Sequence, residues 1–156
     1  MSSAVISPDG QYRYVLTRKI EQPVRWVKPV LFIMLNPSTA DAETDDPTIR
    51  KCIGFAQRWG CTKLTVINLF ALRAKNPRRV MTAIDPFGPE WQSHFEGQLG
   101  LHGDLGLVVA AWGANIALRR AREFVRPLHT MCLGKTKDGH PRHPLYAAYD
   151  TELEPL

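Results

Sequence analysis

Apolar residues fall along this chain in two rhythms, short continuous or alternating runs and longer stretches at helical spacing, and the two take turns. Ser7-Pro8-Asp9-Gly10 reads as a turn. Tyr12, Tyr14 and Leu16 then alternate with Arg13, Val15 and Thr17, which predicts an edge strand. Val24–Val27 is expected to pair with it, giving an N-terminal hairpin over about residues 10–28. Val30–Leu35 is an unbroken apolar run, too short for a buried helix and rich enough in branched residues for a buried strand. Asn36-Pro37-Ser38-Thr39 breaks it with turn-forming residues. Asp46-Pro47 opens a helix, with Asp46 as N-cap and Pro47 giving up an N–H that would have no partner there. Ile49, Cys52, Ile53, Ala56 and Trp59 make its apolar face, and Gly60 ends it.

The alternation continues to the C-terminus. Lys63–Phe70 predicts a second buried strand, and 71–89 a long loop interrupted by Pro77, Pro86 and Pro89. A short helix follows over about 89–101, a third strand over 105–111, and a helix over 114–125 after the Trp112-Gly113 break. A fourth strand covers 128–133, and 134–146 is a polar loop; residues 147–156 are expected to be a peripheral tail. Strands alternating with helices define an α/β class: one three-layer α/β/α domain, residues 1–156, whose mainly parallel central sheet has about four strands plus the N-terminal hairpin. In such sheets ligands bind beyond the carboxyl ends of the strands. Asn36, Phe70, Trp112 and Gly134 all lie just past such ends, so topology alone gathers them on one edge.

Composition narrows the partner more than the fold. The chain is 44% hydrophobic and 22% charged, which fits a soluble globule and excludes a disordered one. A formal charge of +5, with a pI near 9.3, makes an anionic partner plausible, nucleic acid or a nucleotide first; a merely basic surface is the competing reading. The three cysteines are far apart and form no CxxC pair, so neither a zinc ribbon nor a four-cysteine cluster is expected, and free thiols fit a reducing cytoplasm. No leader-like N-terminus and no membrane-length apolar run is visible, and nothing in the chain calls for a cofactor or a metal.

The residues that can carry chemistry each admit a structural reading beside the functional one. Asn36 can orient a water or simply close an Asx turn. Asn68 stands in the apolar VINLF run, where an amide is costly unless bonded; it can read a base edge or hold a neighbouring loop. His143, in HPRHPLY, can donate to a developing negative charge, and Pro141 and Pro144 stiffen that loop. Asp41 belongs to an acidic loop and is a candidate general base. Pro37, Ser38 and Thr39 can bind a ligand or close the turn. Phe70, Trp112 with Gly113, Leu145 and Tyr146 can stack or wedge, or pack as core. Arg73, Lys75, Arg78, Lys135, Lys137 and Arg142 can contact phosphates or form a solvated rim.

Taken together, MLNPSTADAETDDPTIRKCIGFAQRWG, VINLFALR, VVAAWG and LGKTKDGHPRHPLY resemble the bacterial and phage family called domain of unknown function sixteen forty-three, over roughly Tyr12–Tyr146. The family name implies no activity. The order of motifs is also similar to that of the uracil-DNA glycosylase superfamily. That resemblance implies that Asn36 places an attacking water, Asn68 reads the base, His143 stabilises the departing anion, and Leu145 or Tyr146 fills the gap in the duplex. The chain departs from the pattern at Met34, where the superfamily has glycine, at Leu145, where it has serine, and in lacking the aspartate of the first motif.

Three functions therefore stand side by side: recognition of a nucleobase in DNA or a nucleotide with hydrolysis of its N-glycosidic bond, a binding module without chemistry, and an enzyme acting on a free nucleotide or nucleoside.

Overall fold

The computed structural model describes residues 2–104, 106–126 and 128–156. In chain order the elements are β1 (Ser3–Ile6), β2 (Arg13–Lys19), β3 (Pro29–Met34), α1 (Pro47–Arg58), β4 (Lys63–Asn68), α2 (Pro77–Thr82), α3 (Trp91–Gly103), β5 (Leu107–Ala110), α4 (Leu118–Phe124), β6 (Met131–Cys132), a 3-10 turn (Pro144–Tyr146) and β7 (Glu154–Pro155). The fold is α/β, with four α-helices and one mixed sheet of seven strands among the described residues, ordered β1-β2-β4-β3-β5-β6-β7. β3 runs parallel to β4 and β5, and β5 parallel to β6. The pairs β1–β2, β2–β4 and β6–β7 are antiparallel.

The apolar run of β3 is continuous because both of its faces are covered. Leu31 and Ile33, with Leu35 just beyond, join Val80, Phe95, Ala121 and Val125 in one core. Val30, Phe32 and Met34 join Ile49, Cys52, Phe55 and Ala56 of α1 in the other. Each large side chain buried this way contributes about 1.5–3 kcal/mol before entropy is counted. α1 begins as its residues dictate: Asp46 Oδ1 accepts the Ile49 N–H at 2.9 Å, a cap of about 1 kcal/mol. Gly60, at φ 68°, turns the chain out of the helix.

Several elements differ from expectation. The N-terminal hairpin is β1–β2 and not a pairing with Val24–Val27. Its turn is Ser7–Gly10, where Asp9 Oδ1 accepts from the Ser7 hydroxyl and the Gln11 amide. Pro23 and Pro29 flank Val24–Val27, and Trp26 and Val27 lie 68% and 75% exposed. β2 is therefore interior, between β1 and β4, and does not form the edge. The long loop after β4 contains α2, opened by an Asn76 cap and Pro77 in the same manner as α1. Residues 147–156 carry β7, which adds to the outer edge of the sheet beside β6 and is exposed. Tyr149 also lies against Phe55, ring centroids 5.2 Å apart, with the Lys51 ammonium 4.1 Å above its ring. Among the described residues no helix is long and apolar enough to cross a membrane.

Candidate functional site

Three parallel strands end together, and the loops leaving them enclose a cavity of about 630 Å³. The size falls in the range of small-molecule sites, about 300–1,000 Å³. β3 supplies Met34 and then Leu35, Asn36 and Ser38 to its wall, β4 supplies Val66 and Asn68, and the exit from β5 supplies Trp112 and Gly113. The first turn of α1 brings Asp46, Thr48 and Ile49, and the last polar loop brings Thr136, Arg142, His143, Leu145 and Tyr146. Lys75 stands at the wall from the loop before α2, and Arg13 from the start of β2.

Asn68 is the residue whose side chain most needs explaining. It ends β4, is 2% exposed, and neither its Nδ2 nor its Oδ1 has a hydrogen-bond partner among the described residues. A native interior leaves few such groups, and each costs about 1–3 kcal/mol. Its neighbour in register is Met34, and both side chains belong to the α1 face of the sheet. Asn36 differs. Its Nδ2 donates to Ala74 O at 2.8 Å and Pro37 O at 3.0 Å, tying the exit of β3 to the loop after β4. Its Oδ1 accepts nothing among the described residues, so a half-buried carbonyl remains at the wall.

His143 caps the 3-10 turn by accepting the Leu145 N–H at Nδ1, 3.2 Å away. An accepting Nδ1 assigns the proton of the neutral ring to Nε2, which is thereby a donor. Burial holds its pKa below the ordinary 6.5, against the pull of Asp46 in the other direction, so the ring is neutral at pH 7. The loop carrying it is ordered: Thr136 N donates to His140 O at 2.8 Å, Arg142 N to Gly134 O at 3.0 Å, and Gly113 N to Pro141 O at 3.1 Å. Gly113 has φ 74°, which a residue with Cβ adopts only under strain. Tyr146, 79% exposed, and Leu145, 45% exposed, stand at the rim.

Other expected site residues have structural partners instead. Asp41 is not at the cavity wall; its Oδ1 accepts the Glu43 and Thr44 amides, and those bonds hold its pKa below the usual 3.8. Arg73 donates to the carbonyls of Ser38, Thr39 and Gly10, each at 3.3 Å. Pro37 is buried, its carbonyl taken by Ala74 N, and exposed Thr39 is also away from the wall. Phe70 is core, its ring 5.2 Å from Phe87 and 6.0 Å from Phe124. Trp112 borders the cavity but is 1% exposed and packed with the α3–α4 core, so it offers a wall rather than an open ring face. Arg78, Lys135 and Lys137 are exposed and lie outside the cavity, whereas Lys75 and Arg142 reach it.

Arg13 was hidden by its place in an alternating strand, where an arginine reads as outward-facing. It is 2% exposed, donates from Nη1 to Ala40 O at 2.9 Å, and leaves Nε without a partner. Burial lowers its pKa to about 10, with Asp46 opposing that shift, so it stays cationic at neutral pH. It forms no ion pair among the described residues. The Asp46 carboxylate accepts the Ile49 and Ala40 amides instead. The only signal in the chain was a charged residue flanked by Tyr12 and Tyr14 in a strand that turns out to be interior.

The α/β sheet thus carries, at its parallel strand ends, a partly enclosed cavity walled by an amide, a neutral imidazole and a buried guanidinium. The chain belongs to the family described as a protein of unknown function (DUF1643), whose model matches residues 13–145. No curated protein and no solved structure matches it.

Proposed function

We propose that the cavity binds a nucleobase, read by Asn68, and that the protein hydrolyses the N-glycosidic bond of that base on a fold related to the uracil-DNA glycosylase superfamily. The observation that carries this is the Asn68 amide, buried with a free donor and a free acceptor side by side. A nucleobase edge supplies the complementary pair, and a bidentate match satisfies both atoms at once. The Asn36 carbonyl holds a water for attack on the sugar carbon; the water oxygen forms the new bond to that carbon, and the proton it sheds ends on the departing base. The glycosidic electron pair leaves with the base, and the Nε2–H of His143 donates to the anion that forms. Exposed Leu145 and Tyr146 fill the gap when the base leaves its stack, and Lys75 and Arg142 meet backbone phosphates at the rim.

Met34 gates this arrangement. It stands where the superfamily has glycine, lies beside Asn68 in register, and lines the same cavity. A base reaches the amide by displacing a flexible thioether. The same residue favours a second reading, a module that binds a base without cleaving it, since a side chain there keeps the sugar away from the strand end.

Incubation with duplexes carrying uracil, mismatched or modified bases, followed by alkaline cleavage of abasic sites, separates the two. Strand breaks that Asn68→Leu and Asn36→Ala abolish, and that Met34→Gly accelerates, support hydrolysis. Salt-sensitive binding that Asn68→Leu weakens, without breaks, leaves the binding module. Absence of both removes nucleobase recognition in nucleic acid.

A further inference from the structure

Arg13 places a permanent positive charge inside the cavity, which the reading of Asn68 does not use. A guanidinium removed from water is costly unless its donors meet acceptors and its charge meets a counter-charge. Among the described residues its side chain makes one bond, to Ala40 O. Nε is buried and unpartnered. Asp46, the one carboxylate at the wall among the described residues, also accepts the amides of Ile49 and Ala40. Asp46 acts on Arg13 as a counter-charge without bonding it, while Arg73 and Arg18 act on it as like charges. Counting Lys75 and Arg142, the cavity wall holds three cations against that single carboxylate.

The neutral polar groups at the wall do not answer this need. An oxyanion that enters together with the base does. We propose that Arg13 is the anion-binding residue of the cavity, so that the natural ligand carries a phosphate or a carboxylate inside with its base. A nucleoside monophosphate and a base bearing a ring carboxylate share this chemistry. The fork of the guanidinium suits either one, since both present two oxygens in a plane. The inference deepens the proposed function and rests on the cavity being a ligand site, but not on cleavage.

The test is calorimetric titration of the whole protein with the common nucleosides, their 5′-monophosphates, uracil, uracil-6-carboxylate and inorganic phosphate. Wild type is expected to bind at least one anionic probe about tenfold or more tightly than its neutral counterpart. Arg13→Met is expected to erase that ratio, and Arg13→Lys to keep part of it. A preference for monophosphates identifies a sugar phosphate, and one for the carboxylate identifies a modified base. Equal affinity for charged and neutral probes overturns the inference, as does a ratio that survives Arg13→Met or a wild type that binds no probe. If Arg13→Met does not fold, the wild-type ratio and Arg13→Lys decide. Asn68→Leu keeps the two ideas apart: loss of base discrimination with the anion preference intact supports both. An anion preference with no base discrimination in wild type removes the Asn68 reading alone.

Discussion

At one end of β2, Arg18 is buried and saturated. Its Nε meets Asp45 at 2.8 Å, and its remaining nitrogens reach the carbonyls of Thr17, Asp41 and Thr44. At the other end, Arg13 is buried as deeply and makes one bond. The first arginine holds the acidic loop between β3 and α1 in place. The second faces a cavity whose wall that loop helps to build. Burial alone does not separate a structural charge from a functional one; the completeness of its hydrogen bonding does. The two asparagines repeat the contrast, with Asn36 donating to two carbonyls and Asn68 to none.

Removing the saturated member of each pair should cost stability, and removing the unsatisfied member should not. Arg18→Met leaves Asp45 and several carbonyls without their donor and is expected to lower unfolding free energy by about 3 kcal/mol in urea denaturation. Arg13→Met in the same assay should be neutral or stabilising, because an under-paired buried charge is replaced by a chain of similar length. Comparable losses for the two would show that Arg13 is structural.

Asn36→Ala is expected to cost about 1–2 kcal/mol, since the Ala74 and Pro37 carbonyls lose a donor. Asn68→Leu should hold or raise the urea midpoint while losing discrimination among bases. A marked loss of stability in Asn68→Leu would place the amide among the structural residues.

Acid should act in two steps. His143 and His102 are held below their ordinary 6.5 by burial, so the unfolded chain binds protons more readily just beneath that pH. Their contribution is complete above 6.5 and lost as pH falls through the folded values. Asp41 and Asp9 are held below 3.8 by hydrogen bonds, those from the Glu43 and Thr44 amides for Asp41 and chiefly the Ser7 hydroxyl for Asp9. Their contribution is complete above 3.8 and lost only in stronger acid. Urea midpoints between pH 8 and 3 should fall in both windows, and His143→Gln should flatten the first.

The smallest stability effect belongs to the rim. Tyr146→Ala, at a 79% exposed position, should leave the urea midpoint unchanged within about 0.5 kcal/mol. In the same variant, affinity for a duplex should fall if the ring acts as a wedge. Unchanged affinity would confine recognition to the cavity interior.

Local chemistry made much of this molecule legible from its residues. The apolar run of β3, the Asp46-Pro47 start of α1 and the Gly60 exit follow from side chains a few positions apart. An equivalent cap-then-proline signature stood at Asn76-Pro77, and the proline-rich surroundings concealed a helix that the residues themselves announce. Topology gathered Asn36, Phe70, Trp112 and Gly134 past strand ends; of these Asn36 and Trp112 line the cavity, and Asn68 and His143 line it with them. Which polar groups have partners was not legible. Arg73 is satisfied by Ser38 O, 35 residues away, and Arg18 by Asp45, 27 residues away, while Arg13 and Asn68 are left short. A hydrogen bond depends on distance and angle between groups that only the folded chain brings together. The residue types with chemical capacity were therefore set by the sequence, and the choice of which of them remain free to use it was made by tertiary structure.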